Sequence, residues 1–481
     1  MPTDPRGLRD DAPLLDAWLR FLEEAPTPFT IPGHKHRLDL VGDVVAGDVP
    51  LYAGLDTMGL ARGVLAEAEA RAARAWGADR ARFSVGGSTH GNQAVALALG
   101  RPGDRVVVSR TLHRSMLLGL VLAGLEPVWV RPRVDPHHGL PVGVHPDDVA
   151  TALAAAPDAV AVVVGEPSYV GTVGDVGALA AVAHAHGGGR GIPLVVDAAW
   201  GAHLGFHPAL PPHAIALGAD AVVTSAHKML PAVSQGALVL ARGDRIDPAR
   251  LEAGVEATAT TSPHGGILAS IDAARALLER DGEALLGEVV EAVAGARRRL
   301  AAVEGLTLLD GPGVDPTRLV LLLAGTGADG TAVEADLVTA GMPVEMADRD
   351  TLVAVVTLAD RDADLRTLTE RLVASVERHR GRPRATAGAG VWAVDPVTAM
   401  SPRAAFFAPR ERVATRDAVG RVSAELVAPY PPGIPVLAPG ERVTAAALDA
   451  LAAARAAGSR IAYAADPTLA HLDVVAGDAG A

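Results

Sequence analysis

Among the 481 residues there is no cysteine. Disulfides, cysteine-ligated zinc or iron–sulfur sites and a cysteine nucleophile are therefore excluded. An excess of positive charge is also missing. The 43 Lys+Arg stand against 56 Asp+Glu, a formal charge of −13, and no basic tract breaks that balance, so nucleic acid is not an expected partner. The start, MPTDPRGLRDDAPLL, lacks the apolar core of a signal peptide. Apolar runs are interrupted by glycine, proline or charge well short of a membrane-spanning length. A soluble, cytoplasmic protein without membrane partners is expected. No internal repeat stands out. His34 and His36 have no acidic ligand at useful spacing, so no metal is expected.

What is present is enough chain for two or three domains. Leu14–Glu24 and Gly59–Trp76 read as helices. Between them lies the non-periodic segment Phe29–Asp39. From Ala81 onward short apolar runs alternate with helical stretches. Strands are expected over Ala81–Val85, Arg105–Ser109, Glu126–Val130, Ala159–Gly165, Pro193–Val196, Ala221–Ser225 and Gly236–Leu240. Nearly continuous apolar strands with helical crossovers predict an α/β fold with a mostly parallel, helix-covered sheet. Long helices over Ala269–Arg299 lead away from it. A smaller α/β unit follows, with strands Arg318–Leu323, Met342–Glu345 and Thr351–Thr357 and helices Thr331–Ala340 and Asp362–Ser375. A polar linker at 379–386 precedes a C-terminal part with the proline-rich loop 429–435, the helix Ala445–Ala457 and a strand at Ile461–Ala464. The expected division is an N-terminal segment (1–58), a large domain (59–304), a small domain (305–385) and a C-terminal domain (386–481).

In open parallel sheets ligands bind beyond the carboxyl ends of the strands. Ser88, His113, Tyr169, Asp197, Ser225 and Lys228 all fall there. The turn Gly86–His90 places Ser88 and Thr89 at a helix N-terminus, a phosphate cradle. It is not a Walker motif, because the Gly-Lys-Ser/Thr ending is absent. Asp197 and Lys228 end neighbouring apolar runs. A carboxylate for a pyridine nitrogen and a lysine for an aldehyde point to pyridoxal 5'-phosphate (PLP). Separately, Lys228 reads as a solvated loop lysine and Asp197 as a helix cap; neither explanation accounts for the pair beside a phosphate turn.

The motifs IPGHKH (31–36), GLDTMG (54–59), GGSTHGN (86–92), LHRS (112–115), EPSYVGTVGDV (166–176), VDAAWGAHLGFHPALP (196–211), SAHKMLPAVSQGA (225–237), TTSPHGGILASID (260–272) and YPPGIPVLAPGE (430–441) occur in that order. On them the chain resembles the Orn/Lys/Arg decarboxylase family, fold-type I PLP enzymes, in the short form without an N-terminal wing domain. The resemblance implies decarboxylation of arginine, lysine or ornithine to an amine that feeds polyamine synthesis. It implies Lys228 as the Schiff-base lysine with His227 beside it, and Lys228 or His227 as proton donor. Asp197 would pair with the pyridine nitrogen and His113 would stack on the cofactor. Ser88, Thr89 and Ser225 would hold the phosphate, and His203 would lie near the cofactor. It also implies a homodimer or dimer-based oligomer with active sites at the interface, where Thr260–Pro263 would serve the neighbouring site.

Three positions depart from the family pattern: Ala198 replaces an acidic residue, Met229 a threonine, and Glu166 an asparagine or threonine. The first two directly follow Asp197 and Lys228 and leave the substrate open. Glu441 is a candidate partner for a cationic substrate side chain. The rival readings are a fold-type I aminotransferase or lyase, for which Arg318 or Arg349 would bind a carboxylate, and a non-catalytic PLP-binding protein.

Overall fold

The computed structural model describes residues 3–24, 32, 34–35, 38–49, 63–135, 137–386, 391–392, 394–430 and 433–477. Residues 50–62, most of 25–37 and Pro431–Pro432 lie outside it, and with them the GLDTMG motif, much of IPGHKH and part of the proline-rich loop.

Seven strands form the large sheet: β1 (Arg80–Ser84), β2 (Arg105–Ser109), β3 (Glu126–Val130), β4 (Ala161–Gly165), β5 (Leu194–Asp197), β6 (Ala221–Thr224) and β7 (Ala237–Ala241), in the order β1-β7-β6-β5-β4-β2-β3. From β3 to β6 all neighbours are parallel; β7 runs antiparallel between β6 and β1. The strands read as continuous apolar runs because both sheet faces are buried. Val162, Val164, Val196 and Val222 enter one core, and Val163, Val195, Val223 and Val239 the other. Alternation along each strand sends successive side chains to opposite cores. Helix Gly87–Leu99 packs on this sheet through Gly91, where an added Cβ would come within 2.6 Å of Val223 Cγ1.

A single helix, Gly265–Leu300, replaces the several stretches expected there. Leu268 and Ile271 near its start join the large-sheet core, while Ala296 and Leu300 at its end join that of the small sheet. The small sheet holds β8 (Thr307–Leu308), β9 (Arg318–Leu322), β10 (Met346–Ala347) and β11 (Thr351–Val355), ordered β10-β11-β9-β8 and antiparallel throughout. The expected strand Met342–Glu345 is displaced. The tight turn at 348–350 fixes the pairing Met346↔Val353 and Ala347↔Leu352, leaving room for two paired residues.

The C-terminal part has two small two-stranded sheets, β12 (Arg410–Ala414) with β15 (His471–Val475), and β13 (Ala428–Tyr430) with β14 (Arg460–Ala462). The sequence RERVA holds no apolar run to mark β12, and that strand is mostly solvent-facing. Helix Pro146–Ala155, capped by the His145 side chain, is a further element beyond those expected from the sequence. Among the described residues no helix is long and apolar enough to cross a membrane.

Candidate active site

The carboxyl ends of β4, β5 and β6 surround a cavity of about 100 Å³ lined by Ser88, His113, Tyr169, Asp197, Trp200 and Lys228, with Gly433 and Ile434 from the C-terminal part. Topology explains the convergence. Lys228 lies in the short connection between neighbouring strands β6 and β7, and Asp197 is the last residue of β5.

Asp197 is 6% exposed. Its Oδ2 accepts from Asn92 Nδ2 at 2.8 Å and its Oδ1 from the Ala199 amide at 3.3 Å. No cation pairs with it among the described residues. Asn92 also donates to Ser115 Oγ at 2.9 Å, and Ser115 Oγ lies 2.8 Å from His113 Nδ1. The Ser115 amide donates to the same Nδ1 at 3.3 Å. Nδ1 is thus an acceptor, and the geometry assigns the proton of the neutral imidazole to Nε2. His113 stands solvent-accessible at the cavity rim but is densely surrounded. That desolvation lowers its pKa, outweighing the pull of Asp197, and Lys228 and Arg114 lower it further.

Asn92 and Ser115 lie within the GGSTHGN and LHRS motifs, and sequence reasoning missed both. The signal was available: Asn92 lies four residues after Ser88, on the same face of a helix.

Lys228 is half-buried, with Nζ 4.1 Å from the centroid of the Trp200 ring. Desolvation lowers the pKa of its ammonium; Asp197 and Glu345 oppose the shift and Arg318 adds to it. Ser225 is fully buried and donates to Ser88 Oγ at 3.0 Å. Ser88 sits in the first turn of helix Gly87–Leu99, whose entry requires the positive φ of Gly87 (67°). Thr89 in that turn is exposed and does not line the cavity.

Two expected neighbours lie elsewhere. His203 is fully buried, with Nε2 3.0 Å from Asp315 Oδ2 and 3.2 Å from Thr317 Oγ1. It ties the large domain to the start of β9 and is not a cavity wall. Burial opposes the shift, but His203 and Arg318 hold the Asp315 carboxyl well below the usual range. His227 is turned to the backbone, with Nδ1 2.9 Å from Gly236 O.

The departures from the family pattern also stand apart from the cavity. Ala198 and Met229 are 2% and 1% exposed and belong to the large-sheet core, so neither removes a polar group from the pocket wall. Glu166 is buried behind it. Its Oε2 accepts from the Gly174 amide at 2.9 Å, and burial lifts its carboxyl to about 8.

Glu441 is not free for a substrate. It is 2% exposed and forms a buried ion pair with Arg110. Arg349 is paired with Asp350 at 2.8 Å, and Arg318 stacks on Trp200 without lining the cavity.

Comparison with known proteins adds to this geometry. A family model described as Orn/Lys/Arg decarboxylase, major domain, matches residues 12–316, and one for the C-terminal domain of the same family matches residues 389–461. An arginine decarboxylase of Halalkalibacterium halodurans is 31% identical over 454 residues, covering 91% of this chain and 92% of the relative. One of Bacillus subtilis is 30% identical, covering 90% and 91%. The crystal structure of the lysine decarboxylase of Francisella novicida superposes with a TM-score of 0.82 at 19% identity, covering 96% of this chain and 81% of the other. That likeness concerns the fold: a large, mostly parallel sheet domain with smaller domains.

Proposed function

This chain belongs to the Orn/Lys/Arg decarboxylase family, and on that premise we propose that it removes CO2 from a basic amino acid with PLP bound at the ends of β4, β5 and β6. The observation that carries the reading is a buried carboxylate without a cation partner among the described residues, Asp197, lining one cavity with a lysine of lowered pKa, Lys228. That donor set fits PLP. Asp197 would hold the pyridine nitrogen and Lys228 the aldehyde carbon. Ser88, Ser225 and the amides of the first turn of helix Gly87–Leu99 would hold the phosphate. Thr89 can contribute only from the exposed side of that turn.

When bound, PLP supplies an electron sink for the bond that breaks at Cα. The chain's own residues do the rest. Asn92 and the Ala199 amide fix both oxygens of Asp197, so this charge needs no reorganisation. Desolvation makes the Lys228 amine easier to free of its proton, and Nζ can return a proton to the substrate carbon. We assign that transfer to Lys228 rather than His227, because His227 lies against Gly236 and does not line the cavity. His113, held neutral, forms one wall. Pro167, Tyr169 and Ile434 limit the access of water.

We further propose a homodimeric enzyme in which the segment Thr260–Pro263, exposed over its first three residues, serves the neighbouring subunit, with the domain division at 58/59, 304/305 and 385/386. Incubating the purified protein with arginine, lysine and ornithine, and measuring CO2 against keto acid, tests the reaction class. Keto acid without CO2 would replace the decarboxylase reading with the aminotransferase one.

A further inference from the structure

Tyr169 is a wall shared by two cavities. On one side is the Asp197–Lys228 cavity; on the other lies a space of about 170 Å³ lined by Leu140, Asp348, Trp392, Pro429 and Ala450 among others. The two run side by side along the chain as well, since Leu140 lines one and Pro141 the other.

Asp348 is the unusual group in this second space. Its Oδ1 accepts from the amides of Asp350 (2.8 Å) and Thr351 (2.7 Å), which fixes the carboxylate at the β10–β11 turn. No cation pairs with it among the described residues. Its neighbour Asp350 differs: it is held by Arg349 Nη2 and Arg384 Nε, each at 2.8 Å. Arg349 acts on Asp348 through space but is itself paired with Asp350, so this largely desolvated carboxylate has no cation in direct contact among the described residues, which is costly unless one arrives. Burial accordingly lifts the Asp348 carboxyl above its ordinary range.

We propose that this second cavity receives the guanidinium of the substrate side chain, with Asp348 as its carboxylate partner. The proposal rests on the decarboxylase reading above and narrows its substrate to a guanidino amino acid. Two features favour a guanidinium over an ammonium. Oδ1 is committed to two amides and Oδ2 is left to accept a single donor, which a weakly hydrated guanidinium brings into a desolvated cavity at a smaller cost than a strongly hydrated ammonium. Tyr169 and Trp392 provide aromatic surface, on which a flat, weakly hydrated guanidinium stacks well. The indole of Trp392 is anchored by its own hydrogen bond to Gly139 O at 3.1 Å.

The test is Asp348→Asn in the PLP-loaded enzyme. Asparagine keeps the Oδ1 acceptor for both amides and removes only the charge. The KM for arginine should rise about 30-fold or more while kcat changes little, as expected for loss of one partner of a desolvated charge pair. The preference for arginine over citrulline, its neutral isostere, should collapse. Agmatine, the decarboxylated amine of arginine, should bind correspondingly more weakly by calorimetry, and Asp348→Glu should recover part of the loss. Unchanged agmatine affinity in Asp348→Asn overturns the proposal. So does a wild-type enzyme that prefers lysine or ornithine, although the decarboxylase reading would then stand. Absence of CO2 from every basic amino acid sinks that reading, and the agmatine titration of wild type against Asp348→Asn still decides the role of the cavity.

Discussion

Replacing Arg110 with methionine should loosen the loop through which the C-terminal part reaches the cavity. Arg110 is 6% exposed and follows β2 directly. Its Nε donates to Pro435 O at 3.0 Å, and its Nη2 donates to Val436 O at 3.1 Å and to Glu441 Oε2 at 2.8 Å. The guanidinium also lies 4.6 Å from the Trp129 ring centroid. These contacts hold residues 435–441, which adjoin Gly433 and Ile434 in the cavity wall. Removing the arginine leaves Glu441 buried and uncompensated, a loss of about 3–5 kcal/mol for a buried pair. In native-state hydrogen exchange the amides of Val436, Leu437 and Glu441 should then exchange roughly a hundredfold to a few thousandfold faster, since each 1.4 kcal/mol is a factor of ten. The KM should rise as the wall loosens. The double variant Arg110→Met/Glu441→Leu should recover most of the protection, because no unpaired charge remains. Unchanged exchange in Arg110→Met, or a double variant as labile as the two single effects summed, would refute this.

Three other perturbations have defined outcomes. Glu166 has a carboxyl lifted to about 8 from the ordinary 4.5, so the folded state retains a proton that the unfolded chain releases. Its contribution to stability is fully present below the unfolded value and is lost as pH rises through about 8, with a slope of up to ~1.4 kcal/mol per pH unit in between. Urea midpoints at pH 5, 6.5 and 8 should therefore fall more steeply for wild type than for Glu166→Gln; equal slopes would contradict the burial argument. Asn92→Ala removes a hydrogen bond to an ionised group, worth about 1.5–3 kcal/mol, and should weaken PLP binding roughly tenfold to a hundredfold in an absorbance titration. Ser88→Ala should weaken PLP more than Thr89→Ala, because Ser88 alone of the two lines the cavity; the reverse order would place the phosphate on the outer side of the turn.

The sheet was legible because its strands are buried on both faces and so appear as uninterrupted valine-rich runs. Asp197 and Lys228 were legible because polar residues ending such runs have few structural reasons to be there. What sequence reasoning missed depends on contacts distant in the chain. Glu441 looked available to a substrate because Arg110, its partner, is 331 residues away. His203 looked like a cofactor neighbour because it closes the DAAWGAH motif, yet its partners Asp315 and Thr317 lie more than a hundred residues further along, just before β9. Ala198 and Met229 flank cavity residues in sequence but face the core. Adjacency along the chain says little about which side of a strand or short helix a residue occupies. Asp348 carried no motif at all; its position next to Tyr169 comes from the packing of two domains.

The central claim is that Lys228 and Asp197 form a PLP-dependent decarboxylation site. The most direct measurement is the near-ultraviolet and visible spectrum of the purified protein during CO2 release from arginine, for wild type and Lys228→Ala. Wild type should show the absorbance of a lysine-bound cofactor and release CO2 and amine in equal amounts, and Lys228→Ala should lose both that absorbance and turnover. A wild-type protein that stays colourless with added PLP, or a Lys228→Ala variant that still releases CO2 at the wild-type rate, would contradict it.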